Sequence, residues 1–234
     1  EATHAKTNLK FEATKGLFDK KQKLFVHCDI VKEMLVAIDF AKEFGFDVVI
    51  VGGSESWQIA DLLKQNNIAV ILAERHALPT MTDDDVDLPY KSATYLQDAG
   101  VLYAINDGDG QTRGRNLPFN AGTAAGYGIT KEQALSSITL NAAKILGIDN
   151  MTGSIEVGKD ADLLLVDGDP TKNIADIRQL ALVVTQGKAM VPSQIYQRIG
   201  VQPFAKTTVA IRDFAEPAGK AASGGARTGH RHMH

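Results

Sequence analysis

His27, closing the apolar run Leu24-Phe25-Val26, is the residue of this chain whose type and setting most invite chemistry. Imidazole is the commonest protein ligand for zinc and similar metals, and it needs a rigid strand end to aim it. The competing explanation is a histidine hydrogen-bonded in a strand-lined interior. Three further apolar runs also end in polar groups. "DVVIV" leads into Gly52, Gly53, Ser54 and Glu55; "AVILA" into Glu74, Arg75 and His76; "VLYAI" into Asn106, Asp107 and Asp109. Asp107 and Asp109 flank glycines and suit a metal, proton transfer or a turn. His76 and Arg75 lie in a loop and suit substrate contact or solvent. Cys28 alternates to the opposite strand face from His27, where packing against a helix is expected.

Between these runs the period changes. From Val31 to Phe44 the apolar residues Val31, Met34, Leu35, Ile38 and Ala41 recur at helical spacing, and Gly45 supplies a stop. Further helices are expected from Glu55 to about Gln65 and from about Lys91 to Ala99. Strand–helix alternation predicts parallel strands with crossover helices, an α/β fold, in which sites form at the carboxyl ends of the strands. Periodicity leaves open whether the sheet is flat or part of a barrel.

The stretch "TKEQALSSITLNAAKILG" reads as one helix, with Thr130 and Gln133 at capping-box spacing and Gly147 at its end. A β-rich module is expected from about Thr152. "SIEVGKDADLLLVDGD" reads as two strands around a Gly-Lys-Asp turn, and "LALVVTQGKAMV" as a hairpin. The divisions expected are residues 1–22 (an N-terminal extension or fragment start), 23–151 (the α/β part), 152–192 (the β segment) and 193–234 (a C-terminal extension and flexible tail).

The 234 residues are 44% hydrophobic and 23% charged, with a formal net charge of -3, a composition that argues against a nucleic-acid surface. No apolar run is long enough to span a membrane. The single Cys28 rules out an internal disulfide framework. No signal pattern opens the chain, and compartment stays open between cytoplasm and periplasm. His230, His232 and His234 alternate in the tail, where an adventitious metal grip or a processing remnant is expected over a working site.

The stretch "NLPFNAGTAAGYGITKEQALSSITLNAAKILGI", followed by "GSIEVGKDADLLLVDGDP", resembles the C-terminal half of the amidohydrolase superfamily, in its imidazolonepropionase-like branch. The resemblance runs from about Leu24 to Val191. It implies strands five to eight of a metal-dependent (β/α)8 TIM-type barrel, with a β-sandwich segment returning after it. By position His27 matches the family's metal-ligand histidine on strand five. Asp107, with Asp109 as alternate, matches the metal-binding, proton-accepting aspartate of strand eight. The histidine expected on strand six is replaced by Val51-Gly52-Gly53. A remodelled shell would draw on Glu55 or His76.

Two readings follow. The first is a hydrolase of an amide or cyclic-amide C–N bond, with Asp107 catalytic, His27 and Asp107 on a divalent metal (zinc is expected), and Glu55, Arg75 and His76 toward a small-molecule amide substrate. Its partner would be a chain supplying the N-terminal half-barrel, in an oligomer. The second is an amidohydrolase-like subunit without metal or catalysis, retained for structure or binding. An independent open-sheet binding protein is the weakest reading, since no phosphate-cradling motif is present.

Overall fold

The computed structural model describes residues 8–73, 76–79, 81–108, 114–205 and 209, so the tail histidines lie outside it. The β-branched and apolar runs form four strands, β1 (Leu24–Cys28), β2 (Val48–Gly52), β3 (Ala69–Leu72) and β4 (Tyr103–Ile105). They pair in parallel in the order β1-β2-β3-β4. The register sets Phe25 against Val49, His27 against Val51, Val51 against Ile71 and Ile71 against Ala104.

Before β1 lies α1 (Leu9–Phe18), started by Asn8, whose side chain accepts from Lys10 N. After it come α2 (Val31–Phe44), a 3₁₀ turn (Ser56–Ile59) running into α3 (Ala60–Gln65), and α4 (Leu88–Asp98). Next are α5 (Leu117–Gly126) and α6 (Lys131–Ser137). Gly45 ends α2 in the left-handed region at φ 67°, a conformation a side chain would disfavour.

Strand alternation sorts the core into two faces. Cys28, Val48, Ile50, Val70, Leu72 and Ile105 point to one side and pack with Met34, Ile38, Leu63, Leu96, Ala121 and Ala134 of α2 to α6. Val49, Ala69 and Ala104 point to the other, with Ile145 of α7 (Leu140–Leu146) against them. Leu63, Leu72 and Leu96 are fully buried, worth about 1.5–3 kcal/mol each relative to exposure. Parallel strands in sequential order, with α2 to α6 all on one face, are singly wound. That is the geometry of a (β/α)8 barrel segment and not of a doubly wound open sheet.

The expected single helix of residues 130–147 is instead two. The capping box forms as anticipated, with Gln133 N bonded to Thr130 Oγ1 and Thr130 N to Gln133 Oε1. The helix then closes because Ser137 Oγ donates to Ala134 O and Thr139 Oγ1 to Leu135 O, side-chain bonds that compete with the helical ladder. The break carries the chain from the outer face, where Ala134 packs, to the inner face, where Ile145 packs. Lys23 Nζ bonds Ile145 O at 2.8 Å, and Asn141 Nδ2 bonds Tyr103 O at 3.0 Å. These bonds tie α7 both to the residue preceding β1 and to β4. Gly147 ends α7 at φ 74°.

The β module holds β5 (Leu163–Val166), β6 (Leu180–Thr185) and β7 (Lys188–Met190), antiparallel in that order, followed by α8 (Pro192–Arg198). The hairpin expected in "LALVVTQGKAMV" is present. Gln186 and Gly187 both have positive φ, 49° and 72°, as a two-residue turn between right-twisted strands requires. The strand expected at residues 154–157 is not formed. Ile155 and Val157 point into solvent, and Ser154, Glu156 and Lys159 bond one another locally instead of offering a ladder.

Candidate active site

The carboxyl ends of β1 to β4 share one rim, and a cavity of about 460 Å³ opens there. His27 lines it, because its position on β1 faces the inner side of the sheet while Cys28 turns outward into the helical core. Burial pushes the Cys28 thiol up to about 11, with the charges of Glu33 and Asp29 adding, so it remains a protonated packing group. Asp29, Ser54 and Asn106 also line the cavity, and Leu78 and Leu88 form part of its apolar wall.

The loops after β1 and β2 are laced together. Gly53 N donates to Cys28 O at 2.8 Å and Glu55 N to Asp29 O at 3.0 Å. Ser54 N donates to Asp29 Oδ1 at 3.3 Å, and Ser54 Oγ to Asp29 O at 3.3 Å. The end of β4 is held by Asn106 N bonding Leu72 O at 2.8 Å.

Four of the site residues expected from the sequence can be placed. His27 is on the cavity wall. Asp107 is half-buried between Asn106 and Gly108, which line the cavity, but is not itself among the lining residues. Glu55 has a different employment from the one expected. It is buried, its Oε2 accepts from Val31 N at 2.8 Å, and it thereby caps the first turn of α2, a favourable place for a carboxylate. His76 faces α5, with Nε2 2.8 Å from Thr123 Oγ1 and its ring edge-on to Tyr90. Its neighbours Ala77, Leu78 and Pro79 are what reach the cavity. Arg75 and Asp109 lie outside the described residues.

The sequence places Asp29 with His27 among the polar groups at the end of the first strand, but assigns it no role in the site. Its signal was available: an acid two positions past a strand-end histidine, on the loop that follows the strand. What hid its place in the site was its partner, because only the pairing of β1 with β2 sets Asp29 beside Gly52.

Gly52 and Gly53, where a strand-six histidine was expected, have φ of 106° and 62°. A Cβ on Gly52 would lie 2.7 Å from Asp29 Oδ1, and one on Gly53 2.9 Å from Val70 Cγ1. The backbone there is shaped for glycine, so the loss of an imidazole is built into the rim.

A singly wound parallel sheet with a cavity at its carboxyl rim defines the (β/α)8-barrel class of fold, in which sites form at that rim. The amidohydrolase family model matches residues 34–191, and the chain belongs to that family. It is 31% identical over 155 residues to an imidazolonepropionase of Picrophilus torridus, covering 65% of this chain and 37% of that protein. A shorter stretch of 41 residues is 58% identical to the imidazolonepropionase of Shewanella frigidimarina, 18% of this chain and 10% of that protein. Among solved structures, an amidohydrolase from Thermotoga maritima superposes with a TM-score of 0.71 at 31% identity, over 80% of this chain and 48% of that one. The chain thus spans less than half the length of each.

The family implies a divalent metal, and the residues can be tested for it. Catalytic zinc takes three protein ligands and an open position. Among the described residues no three His, Cys, Asp or Glu side chains converge. The described part of the chain does not by itself fit the ion.

Proposed function

We propose that the chain forms the strand-five-to-eight portion of an amidohydrolase that cleaves an amide or cyclic-amide C–N bond in a small molecule, working once strands one to four close the barrel. The observation that carries this is His27, held at a strand end on the wall of the rim cavity, in a chain whose residues 34–191 match the family. Support for a completing half-barrel comes from the sheet. The outer edges of β1 and β4 meet no further strand among the described residues, and Phe25 on the inner face is 38% exposed. Parallel sheets are normally buried on both faces. The completing strands would come from the same longer polypeptide or from a separate chain in an oligomer.

In this reading Asp107 takes a proton from the attacking water and returns it to the leaving nitrogen. Leu78 and Leu88 exclude water from the bound substrate. His27 and Asp107 would be this chain's donors to a divalent ion, zinc by expectation, with the other donors supplied by the completing strands.

Gly52 favours a second reading, in which the rim has given up its chemistry and the chain serves as a structural or binding subunit. Native mass spectrometry of material purified from its source separates the two. The hydrolase reading expects a half-barrel mass, covalent or bound, with metal, and turnover of an amide and lactam panel that His27→Asn abolishes. A completed barrel that stays metal-free after zinc is offered, and inert on the panel, leaves the second reading.

A further inference from the structure

The two free edges of the parallel sheet are not alike. On β4, Val70 N donates to Leu102 O at 3.0 Å and Asn106 N to Leu72 O at 2.8 Å. By alternation, Tyr103 and Ile105 turn their backbone groups to the free edge. Tyr103 O is already taken there: Asn141 Nδ2 donates to it at 3.0 Å, and Asn141 Oδ1 accepts from Ser136 Oγ at 2.9 Å. On β1, Leu24 N donates to Asp47 O and Gly53 N to Cys28 O, both at 2.8 Å. Phe25 and His27 therefore turn their backbone groups outward, where no strand lies among the described residues. Behind that edge is a groove of about 320 Å³ lined by Val26, Cys28, Val36, Ala37 and Phe40, with Glu33 at its rim end. Val36 and Phe40, one turn apart on α2, are 65% and 42% exposed.

What belongs in the groove follows from α1. Leu17 packs against the outer core and the Phe18 ring lies edge-on to Phe46 at 5.0 Å, so α1 shares the outer layer with α2. It enters β1 through residues 19–23. In each of the units β1-α2-β2, β2-α3-β3 and β3-α4-β4, the strand before the helix pairs with the strand after it. α1 and β1 form the second half of such a unit, and β2 already fills the other side of β1. Leu9 and Phe11 at the start of α1 are exposed, as in a unit short of its first strand. We infer that the free edge of β1 and the groove behind it hold one parallel β-strand, the segment that leads into α1 in the same polypeptide, with outward apolar side chains against Val36 and Phe40. A separate chain or a second copy is not the occupant, because either would leave α1 without the strand its crossover requires. The incoming strand bonds the backbone of His27 itself and so fixes the histidine on which the hydrolase reading depends. The inference rests on the barrel reading above and not on the hydrolysis.

The test uses the whole natural polypeptide with a benzophenone photo-crosslinker in place of the Phe40 ring. Irradiation is expected to join position 40 to a peptide of the same chain within about 25 residues before α1. The same probe at Leu135, exposed on α6, should not reach that peptide. Joining to another chain or to a second copy, read from the mass under denaturing conditions, overturns the inference. So does joining to a distant segment, or to nothing. Amide exchange gives a second readout. In the whole polypeptide Phe40→Asp should speed exchange at Phe25 and His27 by about tenfold or more, while Val26 and Cys28, which bond β2, stay slow. Unchanged exchange at Phe25 and His27, or equal acceleration at all four, overturns it. Should Phe40→Asp not fold, the crosslink decides. A crosslink to the segment before α1 in material inert on the amide panel supports this edge and counts against the hydrolase reading alone. Amide turnover with position 40 joined elsewhere overturns the inference and leaves the hydrolase reading standing.

Discussion

Thr123 Oγ1 lies between two acceptor-capable atoms: it donates to Phe119 O at 3.0 Å and sits 2.8 Å from His76 Nε2. A hydroxyl has one proton, and the carbonyl of Phe119 takes it. His76 must therefore be the donor, so its neutral form carries the proton on Nε2. The bond fastens the loop bearing Ala77, Leu78 and Pro79 to α5, and with it one wall of the cavity.

Thr123→Val should remove that acceptor at nearly constant volume. Amide hydrogen exchange at residues 76–78 is expected to speed up while global stability falls by only about 0.5–1.5 kcal/mol. Nitrogen-15 shifts of the His76 ring should report the Nε2-protonated tautomer. A pure Nδ1–H tautomer would make the Thr123 hydroxyl the donor to Nε2 and contradict this assignment.

Gly52→Ala should destabilise the chain by about 1–3 kcal/mol, since it forces a side chain onto a φ of 106° and against Asp29 Oδ1. In the Asp29→Gly background the contact with Oδ1 vanishes, while the backbone strain and the 3.0 Å approach to Cys28 O stay. Urea denaturation of the four variants should therefore show coupling, with the alanine costing less when Asp29 is absent. Strict additivity would contradict the close approach.

Leu63, fully buried between α3 and the outer face of the sheet, should lose about 2–5 kcal/mol on replacement by alanine. Leu9 on α1, 80% exposed, should lose little under the same change. A comparable loss at both sites, read from denaturation midpoints, would mean that α1 is covered in solution by something else.

In the loop after β5, the Thr171 hydroxyl, then Lys172 and the Thr171 amide, hold the Asp169 carboxyl down from 3.8 to about 2. Because the folded value lies below the unfolded one, the folded state gains from this group above about pH 4. That gain fades as the pH falls toward 2. Carbon-13 titration of Asp169 should give the low midpoint, and Thr171→Val should return it toward the ordinary value. An unshifted midpoint in the unaltered chain would contradict the hydrogen bonds.

The strands and most of the helices were readable from residue order alone, because their signals are local. β-branched runs, the Val31 to Ala41 periodicity, the Thr130–Gln133 capping box and the Gln186–Gly187 turn act within a few residues, and each appears where its pattern places it. His27 was readable for the same reason: alternation along five residues suffices to separate it from Cys28. The family motif around Thr139 to Ala143 fixed the class of fold before any contact was known.

What local pattern could not carry was anything set by a partner distant in sequence. The splitting of residues 130–147 into α6 and α7 depends on which sheet face each half meets, and only the packed sheet offers two faces. Residues 154–157 have strand composition but gain no ladder, because strand formation is decided by the neighbour and not by the run itself. Glu55 looked like a rim acid until the start of α2 came within 2.8 Å of it. Asp29 had no assigned role until β2 brought Gly52 beside its carboxylate. The sequence by itself determined the elements, the family and the histidine at the rim. Tertiary structure alone decided which acid faces the cavity, because a carboxylate's role is set by the donors and space around it, and these come from strands more than twenty residues apart.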